Sequence, residues 1–231
     1  MTVPDVIVFD IDGVLVEVTE SYREAIRATV RHFTGEDVSP ELIQKFKNQG
    51  GWNNDWDLTH RFIRDFGRDV PYNAVVDKFN EIFFGANGDG LILRERWIPR
   101  DGFFPELQIR SKFAIFTGRV RYELDPTIRR FAANIGFDPV VTADDVANPK
   151  PAPDGLRLVQ ARHPESAIWY IGDTVDDARS AKLAGVPFVG IAAQSSPRYA
   201  ELENALEENG AFAVLSDVNE LPGLMKPGVF H

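Results

Sequence analysis

The stretch Val6-Ile7-Val8-Phe9-Asp10-Ile11-Asp12-Gly13-Val14-Leu15 constrains this chain more than any other. A continuous run of strand-forming apolar residues suits a strand buried on both faces, as in the middle of a parallel sheet. The run ends abruptly in a carboxylate, one spacer, a second carboxylate and a glycine. In an open parallel sheet, ligands bind outside the carboxyl ends of the strands. Asp10 is therefore expected in that crevice and Asp12 just beyond it, on a turn that Gly13 permits. Taken alone, the same residues also suit an ordinary turn begun by Asp10 and completed by Asp12-Gly13. The rest of the chain argues for the first reading.

Downstream, Tyr22, Ile26, Val30 and Phe33 recur at helical spacing, with Gly35 placed as a stop. Ser39-Pro40 is an N-cap followed by proline at the first helical position, opening a second helix through Phe46. A third helix is expected over about 55–66 and a fourth over about 72–84, stopped by Gly67 and Gly85. Four helices with no strand between them read as a separate helical module. After the turn-rich stretch 86–90 and the return through 97–102, the pattern changes to alternating strands and helices. Strands are expected at 112–116, 139–142, 167–171, 186–191 and 212–215, with helices at 127–135, 154–162, 175–184 and 199–208. That alternation implies an α/β fold with a parallel sheet and helices on both faces.

Charge narrows the function. A net charge of −10 and a pI near 4.9 leave no basic stripe for nucleic acid, so none is expected as a partner. With no cysteine, thiolate catalysis, disulfides and cysteine-zinc sites are excluded. No run approaches the roughly 20 apolar residues of a membrane span. Met1-Thr2-Val3-Pro4-Asp5 has no basic n-region, so the reading is a cytoplasmic protein with no membrane partner.

Three expected strands end in chemistry-bearing residues: Asp10 and Asp12, then Thr117-Gly118, then Asp173 with Asp176 and Asp177 after it. A fourth connection carries Lys150 between prolines. If those strands are neighbours, several carboxylates share one pocket and cannot all stay ionised unaided. A hard divalent ion such as Mg²⁺, with oxygen ligands, resolves the conflict. The hydroxyl, backbone N–H groups and lysine then suit a phosphate's remaining oxygens.

Asp10-x-Asp12-Gly13-Val14-Leu15, Thr117-Gly118, Lys150-Pro-x-Pro and Gly172-Asp173-x-x-x-Asp177 together resemble the four motifs of the haloacid dehalogenase superfamily, in order and spacing. The insert resembles the helical C1 cap of its phosphoglycolate phosphatase and β-phosphoglucomutase branch. Val14 stands where threonine is commoner, and Glu17 where aspartate is. The resemblance implies a Rossmann-like core over 1–16 and 100–231 with a helical cap over 17–99. It implies that Asp10 is a nucleophile forming an aspartyl-phosphate and that Asp12 is the acid and base, for which its surroundings should raise its pKa. Thr117 and the Gly118 N–H would hold phosphoryl oxygens, and Lys150 would offset charge. Asp10, the Asp12 carbonyl, Asp173 and Asp177 would hold Mg²⁺.

The implied activity is a phosphatase for a small phosphorylated metabolite. A phosphomutase is the alternative; a dehalogenase, disfavoured by Asp12 and the Asp173/Asp177 pair, and a non-catalytic binding module come behind it. In the cap loop, Trp52, Asn53, Asn54 and Asp55 suit contact with the substrate's organic part, although Asn54 or Asp55 also suits an N-cap and Trp52 a packing role. Arg119 is expected at the substrate or in a nearby ion pair, and Asp176 as a cap of the helix that follows it. His32, His60, His163 and His231 show no metal-ligand spacing.

Overall fold

In the computed structural model, which describes residues 2–226, the opening apolar run is β1 (Val6–Phe9). A two-residue strand, β2 (Val16–Glu17), leads into four consecutive helices: α1 (Tyr22–Thr34), α2 (Pro40–Gln49), α3 (Asp55–Asp65) and α4 (Tyr72–Phe84). The chain returns through β3 (Arg96–Trp97), antiparallel to β2, so both crossings of the helical segment run side by side. Then follow α5 (Phe103–Gln108), β4 (Lys112–Phe116), α6 (Arg121–Phe131), β5 (Phe137–Val141), α7 (Asp154–Arg162) and β6 (Ile168–Gly172). The last described elements are α8 (Val175–Ala184), β7 (Phe188–Ile191), α9 (Tyr199–Glu208), β8 (Ala211–Leu215) and α10 (Leu221–Leu224). His231 lies outside the described residues.

The main sheet has the order β5-β4-β1-β6-β7-β8 and all its pairs are parallel. β1 sits inside it, paired with β4 and β6. Its side chains alternate between two apolar layers, which is why the strand reads as an unbroken apolar run. Ile7 and Phe9 join Phe113, Ile115, Trp169 and Ile171 on one face. Val6 and Val8 join Ala114, Phe116, Tyr170 and Phe188 on the other, under Leu156 and Val159 of α7 and Leu202 and Leu206 of α9. The first layer continues through Val14, Leu15 and Val16 into the helical segment, where Phe62, Phe79 and Phe83 are buried.

Several expected bounds shift: the strand expected over 139–142 spans Phe137–Val141, and that over 186–191 spans Phe188–Ile191. The helix expected over 127–135 begins at Arg121 and ends at Phe131, because Pro126 lies inside it instead of before it. Its first turn, Arg121-Tyr122-Glu123-Leu124, places one buried apolar residue, Leu124, ahead of the proline. α5 was not expected: it is only six residues long with Pro105 inside it, and of its buried residues Phe103, Phe104 and Leu107 the first two pack edge-on with Phe9 at centroid distances of 6.3 and 5.7 Å. Among the described residues no helix is long and apolar enough to cross a membrane.

Phe9 is fully buried among Phe103, Phe104 and Phe113. Phe9→Ala is expected to lower unfolding free energy by about 3–5 kcal/mol in urea titrations; a change below about 1 kcal/mol would show that this layer collapses around the cavity.

Candidate active site

β1 and β6 are adjacent, so Asp10, one residue past β1, and Asp173, one residue past β6, emerge side by side. The Asp10 N–H donates to the Ile171 carbonyl at 2.9 Å, carrying the ladder to the strand's last residue. Between β5 and α7, the chain brings in Lys150, whose side chain is fully buried. Its Nζ lies 3.0 Å from Asp10 Oδ1 and 2.7 Å from Asp177 Oδ1. Asp177 is also the third residue of α8, and a reciprocal cap holds it. Thr174 donates to Asp177 Oδ2 from its N–H at 3.0 Å and its hydroxyl at 2.7 Å, and Thr174 Oγ1 accepts the Asp177 N–H at 3.1 Å. The N-cap of α8 is thus Thr174 and not Asp173, which frees Asp173 to face the crevice. Thr117, at the end of β4, is fully buried, and its hydroxyl accepts the Arg119 N–H at 3.2 Å.

One oxygen from each of Asp10, Asp173 and Asp177 lies within 4.8 Å of the others. Burial pushes the Asp10 carboxyl up to about 7; Lys150 opposes this, and the charges of Asp177 and Asp12 add to it. Burial also raises Asp173 well above the ordinary carboxylate range, reinforced by Asp10 and Asp177. Burial would raise Asp177 as well, but Lys150 and the donors around it hold it below its ordinary value. Asp173 Oδ1 is buried without a hydrogen-bond partner. Clustered hard oxygens, one of them unsatisfied, fit a magnesium-like cation better than any protein donor nearby. The crowding also makes Gly13 obligatory: its φ is +71°, and a Cβ there would stand 2.0 Å from Asp173 Oδ2.

The Asp12 side chain is 32% exposed and meets a guanidinium. Arg119 Nη2 lies 2.5 Å from Asp12 Oδ1, with Nε 3.1 and 3.2 Å from its two oxygens. Arg119 is itself buried and fixed from behind. Its Nη2 donates to Glu95 Oε1 at 2.7 Å and its Nη1 to the Thr127 hydroxyl at 2.7 Å, while that hydroxyl donates to Glu95 Oε2 at 2.8 Å. Glu95, Thr127 and Tyr170 gave no signal in sequence. The first two are single polar residues in unrelated segments. Tyr170 reads as strand core, yet its hydroxyl donates to Asp177 Oδ1 at 2.6 Å, the polar use that a buried tyrosine generally needs.

The helical segment closes over these groups and leaves a cavity of about 90 Å³, lined among others by Asp10, Asp12, Arg119, Asn53 and Asn54. Asn53 lies on Gly118 so closely that a Cβ on the glycine would stand 2.2 Å from Asn53 Nδ2. Asn54 Oδ1 accepts the Trp56 and Asp57 N–H groups at 2.8 and 3.2 Å, so its carbonyl is given to capping α3. Trp52 does not line the cavity. It packs on Phe46 at 5.4 Å, and Trp56, inside α3 where the helix sets its direction, takes the place facing the cavity. Asp55 pairs with Lys47 at 2.5 Å. Asp176 stands in the first turn of α8, at its positive end as expected, and both its oxygens also accept the Gly51 N–H from the helical segment, at 2.7 and 2.9 Å. His60 and His163 bond backbone carbonyls of Val70 and Asp138, and His32 packs on Phe33, all apart from this site.

A family model described as haloacid dehalogenase-like hydrolase matches residues 4–185. The chain belongs to that family. It is 33% identical over 94% of its length to a Phytophthora nicotianae protein named imidazoleglycerol-phosphate dehydratase, of which it spans only half. It is 24% identical over 94% of its length to pyrophosphatase PpaX of Bacillus velezensis, covering 96% of that protein. A predicted phosphoglycolate phosphatase from Haemophilus somnus shares the fold, with a TM-score of 0.75, 16% identity, and coverage of 98% and 100% of the two chains. This haloacid dehalogenase-like hydrolase is accordingly an enzyme of α/β architecture with an inserted all-helical segment.

Glu123 of this hydrolase lines the cavity, and burial raises its carboxyl from 4.5 to about 7 against the pull of Arg119. A raised folded-state pKa means that the stability held below about pH 4.5 is lost as pH rises through about 7. Glu123→Gln, neutral throughout, should gain up to about 3 kcal/mol on the native enzyme between about pH 5 and about pH 8 in urea unfolding. Equal pH slopes for the two proteins would contradict this.

Proposed function

We propose that this enzyme is a Mg²⁺-dependent phosphatase acting on a small phosphorylated metabolite through an aspartyl-phosphate on Asp10. The observation that carries this is the buried Lys150 ammonium between Asp10 and Asp177, with the unpartnered Asp173 oxygen in the same cluster. An ammonium and room for a cation beside one carboxylate suit a nucleophile that must approach a phosphoryl group of its own sign. The pyrophosphatase name of the Bacillus relative, covered almost end to end, supports phosphorus–oxygen cleavage.

In this reading an Asp10 oxygen attacks phosphorus and the ester oxygen leaves, taking a proton from Asp12. Water then attacks the phosphorus of the aspartyl-phosphate, giving its proton to Asp12 and restoring the Asp10 carboxylate. Arg119, anchored by Glu95 and Thr127, fixes the direction from which Asp12 reaches the cavity. Thr117 and the Gly118 N–H hold phosphoryl oxygens, and Lys150 balances the charge on Asp10. Asp10, Asp173 and the Asp12 carbonyl would hold the ion, which supplies charge neutralisation for the transferring group. Asp177, whose two oxygens already accept from Tyr170, Thr174 and Lys150, serves chiefly to hold Lys150 and would stand beside the ion with Asp10 and Asp173. The helical segment over 17–99 acts as a lid on the core formed by 1–16 and 100–231, and the small cavity restricts the substrate by enclosing it.

Phosphate release from a panel of small phosphomonoesters is expected to require Mg²⁺, to stop with a chelator and to return on adding the ion back. Asp10→Asn should lower turnover at least about 10³-fold. Full activity in that variant removes Asp10 as nucleophile, and an isomerised phosphoester in place of free phosphate makes the enzyme a mutase.

A further inference from the structure

Two buried polar atoms at the cavity have no hydrogen-bond partner and no part in the chemistry above: the Tyr22 hydroxyl and Oε1 of Glu123. Their residues are 5% and 4% exposed, and both line the cavity that holds Asp10 and Asp12. They arrive from different parts of the chain, Tyr22 on α1 and Glu123 on α6. The Arg119 guanidinium lies over the Tyr22 ring, 4.8 Å from its centroid, and the same guanidinium grips Asp12. Tyr22 and Glu123 therefore border the Asp12 side of the cavity. In the proposed reaction that is the side on which the ester oxygen departs with its organic group.

Packing accounts for only part of each side chain. The Tyr22 ring lies against Phe79 and Phe83, at 6.1 and 4.2 Å, a role phenylalanine would fill without burying a hydroxyl. Glu123 Oε2 accepts the Val120 N–H at 3.4 Å, a loose cap on α6 that leaves Oε1 unused. The hydroxyl is near enough to steady the Glu123 carboxyl, but the two do not make a formed hydrogen bond. Once ionised, above about pH 7, Glu123 Oε1 accepts only, and the Tyr22 hydroxyl can accept as well as donate, so a donor carried by a ligand would satisfy both. Of the other cations lining the cavity, Arg23 acts on Asp173 and Lys47 is paired with Asp55.

We propose that Glu123 and Tyr22 form the leaving-group subsite, and that the substrate is a small phosphomonoester whose organic part carries a hydrogen-bond donor, an ammonium or a hydroxyl, near the ester oxygen. This rests on the phosphatase reading. It separates the enzyme from hydrolysis of pyrophosphate or of carboxylate-bearing esters, because either would set an anion against the Glu123 carboxyl.

The test compares kcat/KM with Mg²⁺ for phosphoethanolamine, glycerol 1-phosphate, ethyl phosphate, phosphoglycolate and pyrophosphate, with acetyl phosphate as a donor-free, activated control. One of the first two should exceed ethyl phosphate, phosphoglycolate and pyrophosphate by at least about tenfold, since a site built to bond a donor rejects analogues lacking it. Glu123→Gln should cut that preference about tenfold if the donor is an ammonium and several-fold if it is a hydroxyl, and Tyr22→Phe should cut it several-fold. Equal use of ethyl phosphate or phosphoglycolate by the native enzyme, or preferences unmoved in both variants, overturns the subsite. Release from acetyl phosphate without any donor preference sinks this inference alone, whereas no release from acetyl phosphate sinks the phosphatase reading. In that case calorimetric titration of the Asp10→Asn variant with Mg²⁺ and phosphoethanolamine, glycerol 1-phosphate or ethyl phosphate still decides the subsite, equal affinities for all three ruling it out.

Discussion

The buried ammonium of Lys150 is the group on which the arrangement of this enzyme turns. It is enclosed by the Phe116 and Tyr170 rings, 4.8 and 5.4 Å from their centroids, and reaches no water. An ammonium in such a place is tolerable only if carboxylates meet it there, and each of those carboxylates must be held in turn. Asp10 is held by its position at the end of β1. Asp177 is held by the cap of α8 and by Tyr170 from β6. The ion pair therefore requires β4, β1 and β6 to lie in that order, with α8 starting where β6 stops. The sheet topology and the site chemistry are one constraint seen from two ends.

That constraint works against stability as well as for it. Lys150 neutralises about one charge, while Asp10, Asp173 and Asp177 crowd three acids into the same space. Burial raises Asp10 and Asp173, so without a cation the fold favours protonated acids in a place where ionised ones would be used. The surrounding apolar layers, unbroken from Phe9 to the aromatic rings at α5, carry that penalty. A site of this kind is held in place by the fold around it, and it contributes little to holding the fold together.

The parts legible in sequence are those fixed by adjacency along the chain. Asp10 and Asp12 follow an apolar strand by one and three residues; Asp173 and Asp177 straddle a helix start; Lys150 lies between prolines. Each of these placements follows from local geometry. Glu95, Thr127 and Arg119 form one buried network, but their residues are separated by 24 and 32 positions in Glu95's case, and no periodicity links them. Hydrophobic spacing shows which face is covered, not which oxygen meets which nitrogen. The same limit explains Trp52 and Trp56: both are aromatic, four residues apart, and only the start of α3 at Asp55 decides which of them faces the cavity.

The contacts that close the cavity differ in kind from those that build the catalytic cluster. Gly51 meets Asp176 through one backbone N–H, and Asn53 rests on Gly118 because the glycine has no side chain to prevent it. A single hydrogen bond of that sort is worth on the order of 1 kcal/mol, since water replaces it when it breaks. Lys150 has no such replacement. Glu95, also within 17–99, is tied to Arg119 by a buried ion pair, so the contacts across the two parts range from water-replaceable to fully desolvated. In the proposed reading, the groups that act on phosphorus come from the sheet edge and those that meet the organic part include the helical segment. Tyr22 lies at the start of the first lid helix with its hydroxyl facing a core glutamate, and its position relative to Glu123 is set only when the two halves come together. Under the proposed mechanism, recognition at that pair would be complete only with the two parts together, as they stand here, where Asp12 faces the same cavity.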